Sequence, residues 1–365
     1  MSGVAAAVGV RPLGPLALWA GFGALTLLLA VLAHHVFGVL QDYDTALGYK
    51  LQLDYGEGIV WQQALLMFTH RAYTASQALP FIVFHYPPVY YLAARAMALL
   101  QPDMLAAGRL VSMVSTLLCA PLIAAIVLTT VRRPATAAQI APAIAAGMIV
   151  IGLHAVRNWA VLMRVDMLAA AIGLFGLWLG IRAQGRFWPT TIALLVCMAA
   201  VFTKQTQLPA GIAVFAVALI VNPRGAIGAA LIAGGIGAAI VLALQWATGG
   251  FLLNIIGYNI NAIAIEKVWD ALRGERTSAP LALAMAAGLG TILIGLWRGG
   301  LRRLRAADPV WIARAMILVH VVVALLLLVN LAKHGSSYNY FIDSLAIGCV
   351  LIGVALCEFG LGTWR

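Results

Sequence analysis

The chain has 365 residues, of which 63% are hydrophobic and only 10% charged, with a formal net charge of +11. Apolar residues fall in repeated runs of bilayer-spanning length, which excludes an ordinary soluble domain; the absence of alternating period-two segments argues against a membrane β-barrel. An all-α polytopic transmembrane bundle is expected, because backbone polar groups in lipid must be satisfied within helices.

The N-terminal apolar run is too long for a signal-peptide core and reads as a retained first helix over 16–40. A polar gap over 41–108 follows, far longer than an ordinary helix connection. Within it, 87–100 is apolar but short of the ~20 residues a span needs, and reads as a juxtamembrane helix. Further spans are predicted at 109–131, 136–153, 167–183, 188–203, 208–221, 226–247, 279–298, 310–332 and 343–361, about ten with the first. A second large outer loop covers 249–278, and the whole of 1–365 reads as one transmembrane domain without a soluble C-terminal domain.

Placing the N-terminus inside puts Arg132-Arg133 and the Arg298 to Arg305 cluster on the inner side, as the positive-inside rule favours. The basic balance then reports membrane orientation rather than nucleic-acid binding. Cys119, Cys197, Cys349 and Cys357 lie in apolar runs without metal-ligand spacing and read as small core residues. Gly176 and Gly180, and the Gly234, Gly235 and Gly237 cluster, read as close helix packing. The histidines read mostly as interfacial polar residues, with His85, beside Tyr86-Pro87-Pro88, the one worth testing.

The outer face gathers the residues that suggest chemistry. Asp54 and Glu57 lie three apart in the first loop, where they suit either a general base with a shared divalent cation or the cap of a helix beginning near Ile59. Asp166, with Arg164 before it, stands where an apolar run begins; an ionisable group at that depth is costly and tends to serve a site. Lys204 ends another span, either snorkelling or neutralising a phosphate. The run from Gly335 to Phe341, including Asn339 and Tyr340, offers hydrogen-bond donors on the same side.

The order of Asp54-Tyr55-Gly56-Glu57-Gly58, Tyr86-Pro87-Pro88-Val89-Tyr90-Tyr91, Arg109-Leu110-Val111-Ser112, Arg164-Val165-Asp166-Met167-Leu168-Ala169, Thr203-Lys204-Gln205 and Asn339-Tyr340 resembles the GT-C class of polytopic glycosyltransferases. That class contains oligosaccharyltransferase catalytic subunits, protein O-mannosyltransferases and lipid A aminoarabinose transferases. The resemblance implies an integral protein of the bacterial inner membrane with its site facing the exterior. It implies transfer, with inversion, of a sugar from a polyprenyl-phosphate or pyrophosphate donor to a hydroxyl or amide of a glycan, lipid or protein acceptor. Glu57 or Asp54 would be the base and Asp166 a supporting acid. Lys204, Arg164, Tyr86, Asn339 and Tyr340 would bind the donor phosphate, and Asp54, Glu57 and Asp166 are the candidate ligands for Mg or Mn. Tyr86 stands where aminoarabinose-type members carry a lysine before the Pro-Pro pair. The rival classes are a transporter or flippase of lipid-linked sugars and a non-catalytic subunit of a glycan assembly complex.

Overall fold

A computed structural model describes residues 15–75, 81–131, 135–275 and 277–359. Arg132, Arg133 and the chain's last residues lie outside that set. The described residues form α-helices with short 3-10 and π turns, and every predicted span falls on a helix.

The long helices are α1 (Pro15–Gly48), α4 (Met104–Thr129), α7 (Asp166–Ala183), α10 (Pro223–Thr248), α13 (Ala279–Gly295), α15 (Pro309–Leu327) and α16 (Phe341–Phe359). These seven, some with the turns that continue them, are long and apolar enough to cross a bilayer. An eighth crossing is broken: α5 (Ala137–Gly152) meets α6 (His154–Ala160) at a 64° bend. The helices α8 (Phe187–Val201) and α9 (Pro209–Val221) are apolar but shorter. This is an integral membrane helix bundle. Its interior is α4, α7 and α16, whereas α1, α10 and α13 bury little of themselves and lie at the periphery.

Side-chain caps fix where several helices begin, each satisfying backbone N–H groups the helix leaves open. Asp103 starts α4, Asn222 starts α10 and Asp308 starts α15, accepting from Leu105, Gly225 and Val310 at 2.9, 3.1 and 3.0 Å. Small residues set the close approaches. A Cβ on Gly176 would meet Cys197 Sγ at 2.5 Å, and one on Gly180 would meet Val214 Cγ2 at 2.2 Å, so α7 presses directly on α8 and α9. The second glycine cluster behaves differently from its predicted packing role: Gly234 and Gly235 face open space, and only Gly237 touches a neighbour, Met198.

The polar gap after the first span is built rather than slack. α1 runs on to Gly48, α2 covers Tyr55–Leu66, and the short α3 covers Val89–Met97, matching the juxtamembrane helix expected there. These pieces share an aromatic core in which Tyr73 packs on Phe84 and Phe251, with ring centroids 4.7 and 5.0 Å apart. Phe251 belongs to α11 (Phe251–Ile255), which opens the second outer loop, followed by α12 (Glu266–Gly274). Asn254 locks the two loops together: its Oδ1 accepts from Phe84 N at 2.9 Å and its Nδ2 donates to Thr74 O at 3.0 Å. Gly250 permits this docking, since a Cβ there would lie 2.4 Å from the Tyr73 carbonyl oxygen.

Candidate active site

Alternation of the helices brings both outer loops, the start of α7, the α8–α9 turn and the 333–340 turns to one end of the bundle. A cavity of about 570 Å³ opens there, lined by Tyr55 and Gly56 of α2, His85 and Tyr86, Arg164, Lys204 and Gln205, the 255–263 strap and Lys333 to Tyr340. Glu57, Asp54, Asp166 and Asn339 are not among its lining residues.

Glu57 is turned away from the cavity. Its side chain is fully buried and forms a bidentate pair with Arg109 of α4, Nε to Oε1 at 2.9 Å and Nη2 to Oε2 at 2.8 Å. It also accepts from the backbone N–H of Met163 at 2.7 Å and of Leu53 at 2.6 Å. Arg109 spends its remaining donors on Ala46 O, Tyr49 O and Leu51 O at 2.6, 2.7 and 2.8 Å. All five guanidinium N–H groups and both carboxylate oxygens are thereby engaged. In this arrangement Glu57 is buried with no free lone pair facing the cavity, the geometry of a clamp. It fastens the end of α1, the first loop and the 162–164 turn onto α4.

Asp54 takes the capping role that the sequence left open and adds an ion pair. Its Oδ2 accepts from Gly56 N at 2.9 Å as the cap of α2 and from Arg164 Nη1 at 2.8 Å. Its side chain keeps 30% of its exposure, in contrast to Glu57. Gly56 makes the pair reachable, because a Cβ there would sit 1.6 Å from Arg164 Nη1. Burial pulls the Arg164 guanidinium down, but the Tyr86 phenol with Asp166 and Asp54 outweighs it and holds the group above its ordinary value. Its Nε is buried with no hydrogen-bond partner among the described residues.

Asp166 begins α7, just beneath the cavity. Its Oδ1 accepts from Lys204 Nζ at 2.7 Å and Asn339 Nδ2 at 2.8 Å, while Oδ2 is buried with no hydrogen-bond partner among the described residues. Lys204 Nζ also lies 4.6 Å from the centre of the Tyr340 ring, within cation–π range. Desolvation alone would lower the lysine's pKa; Asp166 and Tyr340 reverse the direction and keep it raised, so the ammonium is fully formed at neutral pH. Asp166, Lys204, Asn339 and Tyr340 are thus brought together as one cluster from three distant stretches of chain.

Tyr86 faces the cavity with a phenol that burial holds protonated, and His85 beside it is pushed down by burial and stays neutral. The loop is tied to the Lys204 turn by Gln205, whose Nε2 donates to His85 O at 2.7 Å and to Ile255 O at 3.0 Å. α3 itself stands behind the wall: Tyr90 Oη donates to Gly108 O at 2.9 Å and Tyr91 Oη to Gln63 Oε1 at 2.7 Å.

The Mg or Mn site considered for Asp54, Glu57 and Asp166 does not fit this arrangement. The three carboxylates sit in three separate ion pairs, with Arg164, Arg109 and Lys204. Among the described residues no group of three or more His, Cys, Asp or Glu side chains is placed to hold a metal ion. The donors that do converge, Arg164, Lys204, Lys333 and the Tyr86 phenol, suit a phosphate.

Sequence reading missed Arg109 as a site-building residue, although its position in a strongly apolar helix was the available signal. It read the histidines mostly as interfacial and did not single out His320, whose side chain is fully buried in α15.

No protein-family model matches the chain, and no curated protein matches it by sequence. Comparison with solved structures shows that its fold is shared with a membrane protein of known structure. The particular structures it resembles are those of ArnT from Cupriavidus metallidurans. The apo form matches with a TM-score of 0.55 at 14% identity over 92% of this chain, and the form bound to undecaprenyl phosphate with 0.57 at 15% over 91%. The chain spans 60% of the length of either ArnT structure, and at that identity the likeness is one of fold.

Proposed function

We propose that this protein is a membrane glycosyltransferase that moves a sugar from a polyprenyl-phosphate-linked donor to a hydroxyl or amide acceptor on a glycan, lipid or protein. The observation that carries this reading is the convergence of two cations, half-buried Arg164 and buried Lys204, on one cavity of about 570 Å³ at the outer-loop end of the bundle. The ArnT structure of the same fold that binds undecaprenyl phosphate supports a lipid phosphate as the anion.

Lys204 and Arg164 hold the donor phosphate and stabilise the charge that builds on it as the glycosidic bond breaks. Tyr86 donates its phenolic O–H to the same group. Asp54, the more exposed of the first-loop acids, is the general base: it takes the acceptor's proton while the acceptor oxygen or nitrogen attacks the anomeric carbon from the face opposite the departing phosphate, with inversion. Asp166 and Asn339 aim the Lys204 ammonium, and Tyr340 shields it.

The arginine-rich helix ends lie at the other end of the bundle, which on the positive-inside rule faces the cytoplasm. The cavity then opens on the periplasmic side of a bacterial inner membrane, where the product belongs to cell-envelope glycan biosynthesis.

The test is binding of a short-chain polyprenyl phosphate to the purified chain in nanodiscs, alongside transfer from the matching lipid-linked sugar. K204M and R164M are each expected to weaken binding by at least about tenfold. Unchanged binding in both variants sinks the reading.

A further inference from the structure

Beneath the site lies a second polar cluster that the transfer chemistry does not use. His320 of α15 is fully buried, and its Nε2 lies 3.1 Å from Asp343 Oδ2 in the first turn of α16. Asp343 Oδ1 accepts from Gln207 Nε2 at 2.5 Å. Gln207 belongs to the turn that presents Lys204, and its backbone N–H donates to Lys204 O at 2.9 Å. A small space of about 20 Å³, lined by Asp166, Lys204, Gln207, Asn339 and Asp343 among others, adjoins residues of both clusters. That is room for one water, which needs roughly 10–15 Å³ and polar partners. Asp166 Oδ2 and His320 Nδ1 are both buried without a hydrogen-bond partner among the described residues.

Charge balance makes the arrangement informative. Two carboxylates, buried Asp166 and largely covered Asp343, whose side chain keeps 17% of its exposure, lie at a depth where an uncompensated charge is costly. Lys204 supplies one cation, and His320 is placed to supply the second. The helices packed against α15 offer no other base near it. α9 and α13 carry no titratable side chain; α7 contributes Asp166 with Arg182 in its last turn, α4 the Cys119 thiol with Arg109 engaged by Glu57, and α16 Asp343 and the Cys349 thiol with Cys357 near its other end. Arg302, Arg303 and Arg305 of α14 (Leu301–Arg305), with Arg314 and Glu358, sit at the far end of α15.

We propose that His320 and Asp343 are positioning residues that set the charge behind Lys204 and Asp166, so that the site holds an anionic lipid phosphate tightly when the imidazole is protonated and weakly when it is neutral. With the proton on His320 the two carboxylates are matched by two cations. Without it the cluster carries one net negative charge directly behind the ammonium that meets the ligand. Imidazole is the side chain that makes this change between about pH 5 and 8. The inference rests on the phosphate-binding reading of the cavity.

The probe is farnesyl methyl phosphodiester, which stays singly charged throughout that range. Its affinity for the purified full chain in nanodiscs is measured from about pH 5 to 8. An H85N/H334N background removes the two imidazoles that line the cavity itself. Affinity is expected to fall roughly three- to tenfold toward the alkaline end. In the same background H320Q, which keeps a hydrogen-bonding group toward Asp343 but takes no proton, should flatten the profile. A profile as steep in H320Q as in its parent, or an affinity changed equally at every pH, overturns the inference while leaving phosphate binding intact. Titration of the His320 ring, followed by NMR of labelled histidine in the H85N/H334N chain, keeps the test valid should H320Q fold poorly; a ring that takes no proton in this range also overturns it. No binding of the probe at any pH would remove the parent reading, and this one with it.

Discussion

Two ion pairs at the same end of the molecule show how differently a carboxylate and a cation can be used. Glu57 and Arg109 form a closed unit in which every hydrogen-bonding position is filled by the pair itself or by backbone. Asp166 and Lys204 form an open one, with a carboxylate oxygen left over and an ammonium reaching a cavity. The first pair uses charge to hold three segments in place. The second leaves charge available to a ligand. Burial does not separate them, since Glu57 and Asp166 are both nearly inaccessible; what separates them is whether the hydrogen-bond valence is complete.

The largest expected effect falls on the closed pair. R109A strands a buried carboxylate and should cost about 3–5 kcal/mol of stability, read as a lowered melting temperature in detergent or nanodiscs. E57Q should lose less stability and retain transfer per folded molecule. A catalytic collapse in well-folded E57Q would erase the distinction between the two pairs.

D54N tests the other side of the comparison. Removing a general base costs roughly a hundred- to ten-thousandfold in rate, so transfer should fall by that order while the melting temperature moves little. The same acid caps α2, and asparagine is an equally good cap. K204M follows, with a loss of at least about tenfold in phosphate affinity and partial recovery in K204R. Y340L, which removes the cation–π contact, should cost about 0.5–2 kcal/mol in binding, measured by titration calorimetry.

The smallest effects are those of pH, and their signs differ. The Lys204 pKa is raised, so the pair's contribution to stability is fully present below the ordinary lysine value of about 10.4 and is lost as pH rises through the higher folded value. The His85 pKa is lowered by burial, so stability is present above about 6.5 and lost as pH falls from there toward the folded value. H85N should therefore blunt acid destabilisation in thermal melts near pH 6, and K204M should not.

Much of the site was legible before any coordinates. Asp166 and Lys204 mark the boundaries of apolar runs, and Asn339-Tyr340 precedes another, so a bundle topology alone predicts that they share an end. The roles within the acidic first loop were not legible. Asp54 and Glu57 are three apart on the same short stretch, and choosing between them required knowing that Arg109, 52 residues beyond Glu57, turns inward to meet it. The place of His320 was not legible either, for a related reason. An isolated histidine in an apolar run has no sequence partner, and its acid, Asp343, arrives from the next helix.

Sequence by itself determined that this chain is a helical membrane bundle, where its apolar helices lie and which end carries the polar chemistry. Those follow from the cost of unsatisfied backbone in lipid and from charge at helix ends, both of which are local properties. Only the tertiary structure decided that Glu57 closes on Arg109 while Asp54 stays partly exposed beside Arg164, and that three carboxylates form three separate ion pairs. Hydrogen-bond valence is completed by groups distant in sequence, and no local pattern records which ones arrive.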